Sequence, residues 1–515
     1  VVSDCGQYMA AEHCYHSHNV MVPLVLFLAA ALALWVYFQT HRPKNFPPGP
    51  PPIPVLGNLL ELHLENPIAD LERLAKRYGN VYSILLGTRR AVVINGVGAL
   101  KEALVNKSAD FSDRREDLFV RRAAHPKAHA PGVVLSPYSP GWKEHRRFIL
   151  ATLRNFGLGK QSMEQRILAE THRVVKLLQQ SDGKPVDPQS IFHHTSSNII
   201  CQILFAKQFD SEDEFMKFFT SFFRETSKII NGPWGMLYDS IPSVRYLPLP
   251  FNKAFHLFKM SHERYLEKFI ENKKTRVPGK PRHFIDAYLD ELEKKKRGNT
   301  ESLLSEDQLR AVLLDLHFAG TDTTANTVLS GLLYLMKYPH VQELCQQEID
   351  RVLQDKPEVS LEDRVQMPYV QAAIHEIQRT ANTVPLSVFH CTTRDTDLLG
   401  YSIPKDERII PNLSSVLNEK GQWKRPDEFY PDNFLNENGE FVKPEAFMPF
   451  STGPRVCLGE GLARMELFII LVTLLRRFRF IWPEDAGEPD LTPVFGVTQT
   501  PKPYRLRAQI RSSLK

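Results

Sequence analysis

Phe450–Gly459 reads FSTGPRVCLG, a single cysteine set between a glycine turn and a helical run, LGEGLARMELF. A thiol at the start of a helix sits where the dipole and free backbone N–H groups favour an anion, and a bound metal deprotonates it outright. Gly453 and Gly459 would let backbone approach a flat cofactor closely, and Arg455 would place a cation near carboxylates on it. Cys457 is therefore the candidate metal ligand. The remaining cysteines, Cys5, Cys14, Cys201, Cys345 and Cys391, form no C-x-x-C pair, so neither a zinc site nor a disulfide framework is indicated.

A second stretch able to do chemistry lies upstream. Leu313–Met336 reads as a long apolar helix interrupted by AGTDTT at Ala319–Thr324. Glycine weakens a helix interior by about 1 kcal/mol and threonine can bond back to a preceding carbonyl, so a local groove is expected there. Asp322 and Thr323 put an acid beside a hydroxyl, as proton transfer requires. Glu376 and Arg379, in HEIQR, lie three apart on one helix face and can pair; Trp142 and Arg146, in WKEHRR, lie four apart and face the same way.

Taken together these segments resemble the cytochrome P-450 superfamily. Phe450–Gly459 matches that family's haem signature, F-x-x-G-x-R-x-C-x-G, at every fixed position. The likeness covers essentially the whole chain after residue 40, including TLRNFGLGK and FIDAYL, and is strongest to the vertebrate microsomal family 2 that handles drugs, other foreign chemicals and fatty acids. It implies a mainly α fold with small β-sheet regions, an N-terminal transmembrane helix and one haem b (iron protoporphyrin IX). It also implies that Cys457 is the proximal iron ligand, whose thiolate favours O–O cleavage. Phe450, Gly453, Gly459 and Ala319 then border the haem. Trp142, Arg146, Arg455 and His390, in HCTTRD, contact its carboxylates; Thr323 bonds oxygen and Asp322 helps relay protons.

The resemblance further implies that Glu376 and Arg379 form a buried structural pair, bonded to a P-x-R-F-like segment. This chain departs there. Pro431–Phe434 reads PDNF, with Asn433 in the arginine's place, so the third partner's bond should be weaker or different. Substrate-pocket positions carried over from the family are Phe119, Phe318 with Ala319, Leu386 to Val388, and Val497 to Gln499. Most are apolar, which argues for greasy substrates.

The elements that must position these residues are legible in outline. Val20–Phe38 is an uncharged apolar run that, at about 1.5 Å per helical residue, just spans a bilayer core. Trp35, Tyr37 and Phe38 suit a membrane interface, and no small-residue cleavage site follows. Lys and Arg are missing before the run and Arg42 and Lys44 follow it, which places the large C-terminal part in the cytosol. Phe46–Pro54, FPPGPPPIP, reads as a rigid hinge. A helix over Leu71–Tyr78 and a strand pair, VYSILLG and RAVVING, come next. Long helical stretches follow, broken by a Pro-, Gly- and His-rich loop at His125–Gly141 and a charged segment at Asn272–Asp307. Short apolar runs over Thr383–Ile410 suggest a second β region. The expected division is a lumenal tail at 1–19 whose native status the sequence leaves open, an anchor at 20–40, a hinge at 41–55 and a catalytic domain at 56–515.

Composition agrees with a large folded enzyme: 43% hydrophobic, with 31 phenylalanines to fill a core. A net charge of +5 over 515 residues is too small to suggest nucleic acid. The expected reaction is insertion of one oxygen atom from O₂ into a lipophilic substrate, whether foreign chemical, fatty acid or steroid, at the endoplasmic reticulum membrane. No G-x-G-x-x-G follows a strand, so NADPH should act indirectly through a separate NADPH-cytochrome P-450 reductase, with cytochrome b5 as a second candidate partner. Lys143, Arg147 and Arg154 are candidates for docking the acidic reductase. The alternatives are a haem-thiolate isomerase or dehydratase, which would not need Asp322 and Thr323, and a non-enzymatic haem sensor, which would need no oxygen groove.

Overall fold

A computed structural model describes residues 41–511 apart from 64, 128, 157–160, 232, 300, 301 and 303, together with a few positions before residue 41. The expected membrane anchor falls mostly outside the described residues. Among those described, no helix is long and apolar enough to cross a membrane.

From residue 41 on, the first regular elements are helix α1 (Ile68–Tyr78), strands β1 (Val81–Leu86) and β2 (Arg89–Ile94), and short helices α2 (Val97–Lys101) and α3 (Phe119–Ala124). A helical body follows: α4 (Pro140–Asn155), α5 (Gln161–Gln180), α6 (Pro188–Phe205), α7 (Glu214–Asn231), α8 (Pro233–Ser240), α9 (Phe251–Thr275), α10 (Phe284–Arg297), α11 (Glu306–Lys337), α12 (Pro339–Leu353) and α13 (Pro368–Ala381). Strands β3 (His390–Cys391), β4 (Thr396–Leu398), β5 (Tyr401–Ile403) and β6 (Arg408–Pro411) come next, then α14 (Leu413–Leu417) and α15 (Glu460–Arg477). Short strands β7 (Phe478–Ile481), β8 (Pro493–Val494), β9 (Thr500–Pro501) and β10 (Arg507–Ile510) end the chain.

Helix α11 carries apolar residues on all its faces and is buried along most of its length, so it organises the body. Ser305 caps it by accepting the Gln308 N–H, and Glu306 and Asp307 complement the positive end of its dipole. It runs unbroken through Ala319–Thr324, which corrects the expected interruption: Gly320 serves packing instead. A Cβ there would lie 2.9 Å from Ile200 Cδ1, so the glycine lets α6 and α11 approach. The charged stretch Asn272–Asp307 also holds more order than expected, because α10 folds within it by burying Phe284, Tyr288 and Leu292 on one face.

The four-stranded sheet runs β1-β2-β6-β3. β1 and β2 form the expected hairpin, from Val81↔Ile94 to Leu86↔Arg89. β6 joins parallel to β2 and β3 antiparallel to β6, so residues more than 300 positions apart share one sheet. Alternation divides β2 between two cores: Val92 and Ile94 pack with Phe434 and Phe447, whereas Ala91 and Val93 pack with Ile84 and Leu86. The proline-rich stretch is no free hinge. Phe46 is buried under the Arg90 guanidinium, the Pro48 carbonyl accepts the Ser83 N–H at 2.7 Å, and a Cβ on Gly49 would strike the Ser83 carbonyl. The folded body thus starts before residue 56.

Candidate active site

Three of the four described cysteines are buried, and Cys457 is exposed. Its loop is fixed from both sides. The Cys457 N–H donates to the Phe450 carbonyl at 3.1 Å, Arg464 stacks on the Phe450 ring, and Gly459 forms the N-cap of α15. Enough protein surrounds the thiol that burial raises its pKa, while the backbone N–H groups of Gly459 and Glu460 and the charge of Arg146 oppose that rise. An open thiol ringed by protein suits a group facing an internal chamber.

Gly453 is demanded by its own packing. At φ +77° it adopts a backbone shape that L side chains resist, and a Cβ would lie 1.9 Å from the Leu104 carbonyl oxygen. The residue lets this loop pass close to the Leu104 backbone. Gly453→Ala is expected to destabilise the fold by about 2–4 kcal/mol. Chemical denaturation checks this, and an unchanged midpoint would contradict it. Gly459, by contrast, faces only Cys457 Sγ, 3.9 Å from where its Cβ would stand.

Beside the loop lies a cluster of cations. Arg455 is buried, donating from Nε to the Ser112 carbonyl at 2.9 Å and from Nη2 to the Ser136 carbonyl at 2.6 Å, and its guanidinium lies 3.8 Å from the centre of the Trp142 ring. Arg146 stacks on the same ring and donates to the Val456 carbonyl. Arg114, which the sequence did not single out, donates to the carbonyls of Val388 and Phe389 at 2.9 and 2.7 Å. Burial lowers the pKa of all three guanidiniums; repulsion from Arg146 adds to this at Arg114, and from Arg114 and Arg146 at Arg455, with Asp113 opposing at both, while Cys457 opposes the fall at Arg146.

Two buried nitrogens here have no partner, Arg455 Nη1 and His390 Nε2. His390 Nδ1 lies 2.6 Å from the Phe111 carbonyl, and burial among Arg114 and Arg455 holds its pKa well below the ordinary value. The ring is therefore neutral with its proton on Nδ1. It can donate from Nε2 only after taking up a proton, which a nearby carboxylate would promote. The donor set thus fits a group carrying carboxylates. The Trp142 indole N–H donates to the Val133 carbonyl at 2.9 Å, and its ring gives Arg146 and Arg455 a face to stack on.

On α11 the burial pattern opens locally. Phe318, Ala319, Gly320 and Thr323 are partly or fully exposed within an otherwise buried stretch. Thr323 Oγ1 donates to the Ala319 carbonyl at 2.7 Å and is exposed. Asp322 is buried and turned elsewhere, accepting from Thr498 Oγ1 at 2.5 Å, with its second oxygen 3.3 Å from His193 Nε2. The adjacent acid and hydroxyl therefore have separate environments, because neighbouring helix positions point about 100° apart.

Phe119, Leu386, Val388 and Val497 line one cavity of about 160 Å³. Phe318 and Ala319 do not line it; Phe318 packs edge-on to Phe223 instead. The pair Glu376–Arg379 is wholly buried, with two hydrogen bonds of 2.7 Å between the side chains. Asn433 Nδ2 donates to Glu376 Oε1 at 3.1 Å, as does the Tyr430 N–H at 2.7 Å.

The family described as Cytochrome P450 matches residues 47–508. The chain is 39% identical to cytochrome P450 2E1 of Oryctolagus cuniculus, over 95% of this chain and 98% of that one. It is 39% identical to cytochrome P450 2F2 of Rattus norvegicus, over 96% of this chain and the whole of the other. Its identity to cytochrome P450 2D28 of Mesocricetus auratus is 40%, over 94% and 97% of the two chains. With an exposed cysteine before a helix, cations awaiting carboxylates and this extent of likeness, the chain belongs to the cytochrome P450 family and is a haem b monooxygenase.

Proposed function

We propose that the Cys457 thiolate holds the haem iron and that Arg114, Arg146, Arg455 and a protonated His390 hold the haem carboxylates. The observation that carries this reading is the open thiol beside buried cationic groups with two unpartnered nitrogens. When bound, the haem supplies the iron at which O₂ is reduced and one oxygen atom passes to a lipophilic substrate, a foreign chemical or fatty acid. Phe450 and Gly459 border the group on the cysteine side, and Ala319 on the α11 side. Trp142 supports the cations rather than touching the carboxylates.

Thr323 bonds oxygen on the α11 side by releasing its hydroxyl from the Ala319 carbonyl. Asp322, held by Thr498 and His193, joins the same proton path by leaving that pair. Thr323→Ala is expected to lower the product formed per NADPH consumed by about tenfold or more. A stoichiometric assay checks this; unchanged coupling would contradict it.

Electrons come from NADPH through a separate membrane-bound reductase, with cytochrome b5 as a second donor. Lys143, Arg147 and Arg154 are exposed on α4 and provide a docking face of positive charge. The apolar run at 20–38 holds the protein to the endoplasmic reticulum membrane with residues 41–515 in the cytosol.

The test is a reduced carbon monoxide difference spectrum, followed by NADPH use and product with purified reductase and a panel of fatty acids and drug-like amines. The expected result is a Soret band at the thiolate position and substrate-dependent product. A thiolate band without turnover would leave a haem sensor.

A further inference from the structure

The cavity lined by Phe119, Leu386 and Val388 is mostly apolar, and its few polar lining residues include Arg408, Asp239, Ser240 and Ser387. Arg408 begins strand β6. It shares a face with Ile410, which lines the same cavity, so alternation puts a guanidinium where the strand pattern asks for an apolar side chain. The residue is 2% exposed, yet among the described residues its side chain makes no hydrogen bond or ion pair, and Nε is buried without a partner. Ser240 Oγ is buried and unpartnered as well.

The neighbouring acids are committed elsewhere. Asp117 is held by Arg115 at 2.8 Å and Arg89 at 3.3 Å, and Glu407 by Arg90 at 3.3 Å. Asp239 accepts the Phe119 N–H at 2.6 Å, and burial raises its pKa to about 6. Asp239 and Asp117 act on the Arg408 charge through space, but neither bonds it; a buried guanidinium with unfilled donors is costly, and it recognises a carboxylate through two parallel hydrogen bonds.

We propose that Arg408, with the Ser240 hydroxyl, is a head-group site for an amphiphile with one carboxylate and a long apolar tail, the tail lying along Phe119, Leu386, Val388 and Val497. This deepens the monooxygenase reading and rests on it for the reaction, though not for the binding. It makes the chain select acidic lipids over neutral molecules of equal length.

The test uses the full-length haem-loaded protein in detergent, with dodecanoate and methyl dodecanoate as probes, read by equilibrium dialysis and by ligand-induced change in the haem spectrum. Dodecanoate is expected to bind more tightly than its ester by about 10- to 100-fold, as charged hydrogen bonds allow. Arg408→Gln is expected to remove that preference, and Arg408→Lys to keep part of it. Equal affinity of wild type for acid and ester would overturn the proposal, and needs no variant to fold. A preference that survives Arg408→Gln would overturn the residue assignment. Dialysis reads the acid preference even if no product forms, so failure of the head-group site and failure of the oxygenase reading are distinguishable.

Discussion

Replacing Glu376 by alanine is expected to destabilise the protein by about 3–5 kcal/mol, because it leaves a buried guanidinium without its counter-ion. Arg379 is 1% exposed and spends all its donors inside the protein. Its Nε and Nη2 meet Glu376, Nη1 donates to the carbonyls of Leu417 and Pro426 at 2.8 Å, and Nη2 also reaches the Glu428 carbonyl at 2.7 Å. These bonds tie α13 to the chain that leads into the cysteine loop. Loss of Glu376 also strips acceptors from Asn433 and the Tyr430 N–H. The check is unfolding by denaturant together with haem content after purification. A stable, haem-replete Glu376→Ala protein would contradict the structural role of the pair.

Cys457→Ser carries the largest expected effect on activity. Changes in groups that merely support a metal ligand lower affinity or activity by about 10–100-fold, so loss of the ligand itself should lower turnover by more than about 100-fold. Haem content should fall less than turnover, since the Arg114, Arg146 and Arg455 cluster proposed to hold the carboxylates is unchanged. Measuring both on one preparation separates the two functions of the site. Turnover within a few-fold of wild type would contradict the role given to the thiol.

The parts of this site that the sequence revealed are local ones. The cysteine loop is a contiguous pattern of glycine, cation and thiol before a helix, and the β1–β2 hairpin follows from alternation around a turn. Asn433 was legible as a change of partner, and it does bond Glu376, at 3.1 Å. What remained hidden depends on contacts between distant segments. Asp322 meets His193 and Thr498, which lie 129 and 176 positions away, and no periodicity announces that pairing.

Arg114 and Arg408 were hidden for a related reason. Each stands among other charged residues, in SDRRED and KDERII, where an exposed face is the ordinary expectation. Only the sheet order, which lays β6 beside β2, turns Arg408 inward. The helix through Ala319–Thr324 shows the opposite error. A glycine and three threonines suggested a break, but a single close neighbour, Ile200, explains the glycine without one.

The most direct test is X-ray absorption at the iron edge of the purified, haem-loaded protein, compared with Cys457→Ser. A sulfur neighbour of the iron in wild type that is missing from the variant is the expected result. An iron shell of nitrogen and oxygen alone in wild type, or a sulfur neighbour that survives the substitution, would contradict the assignment of Cys457.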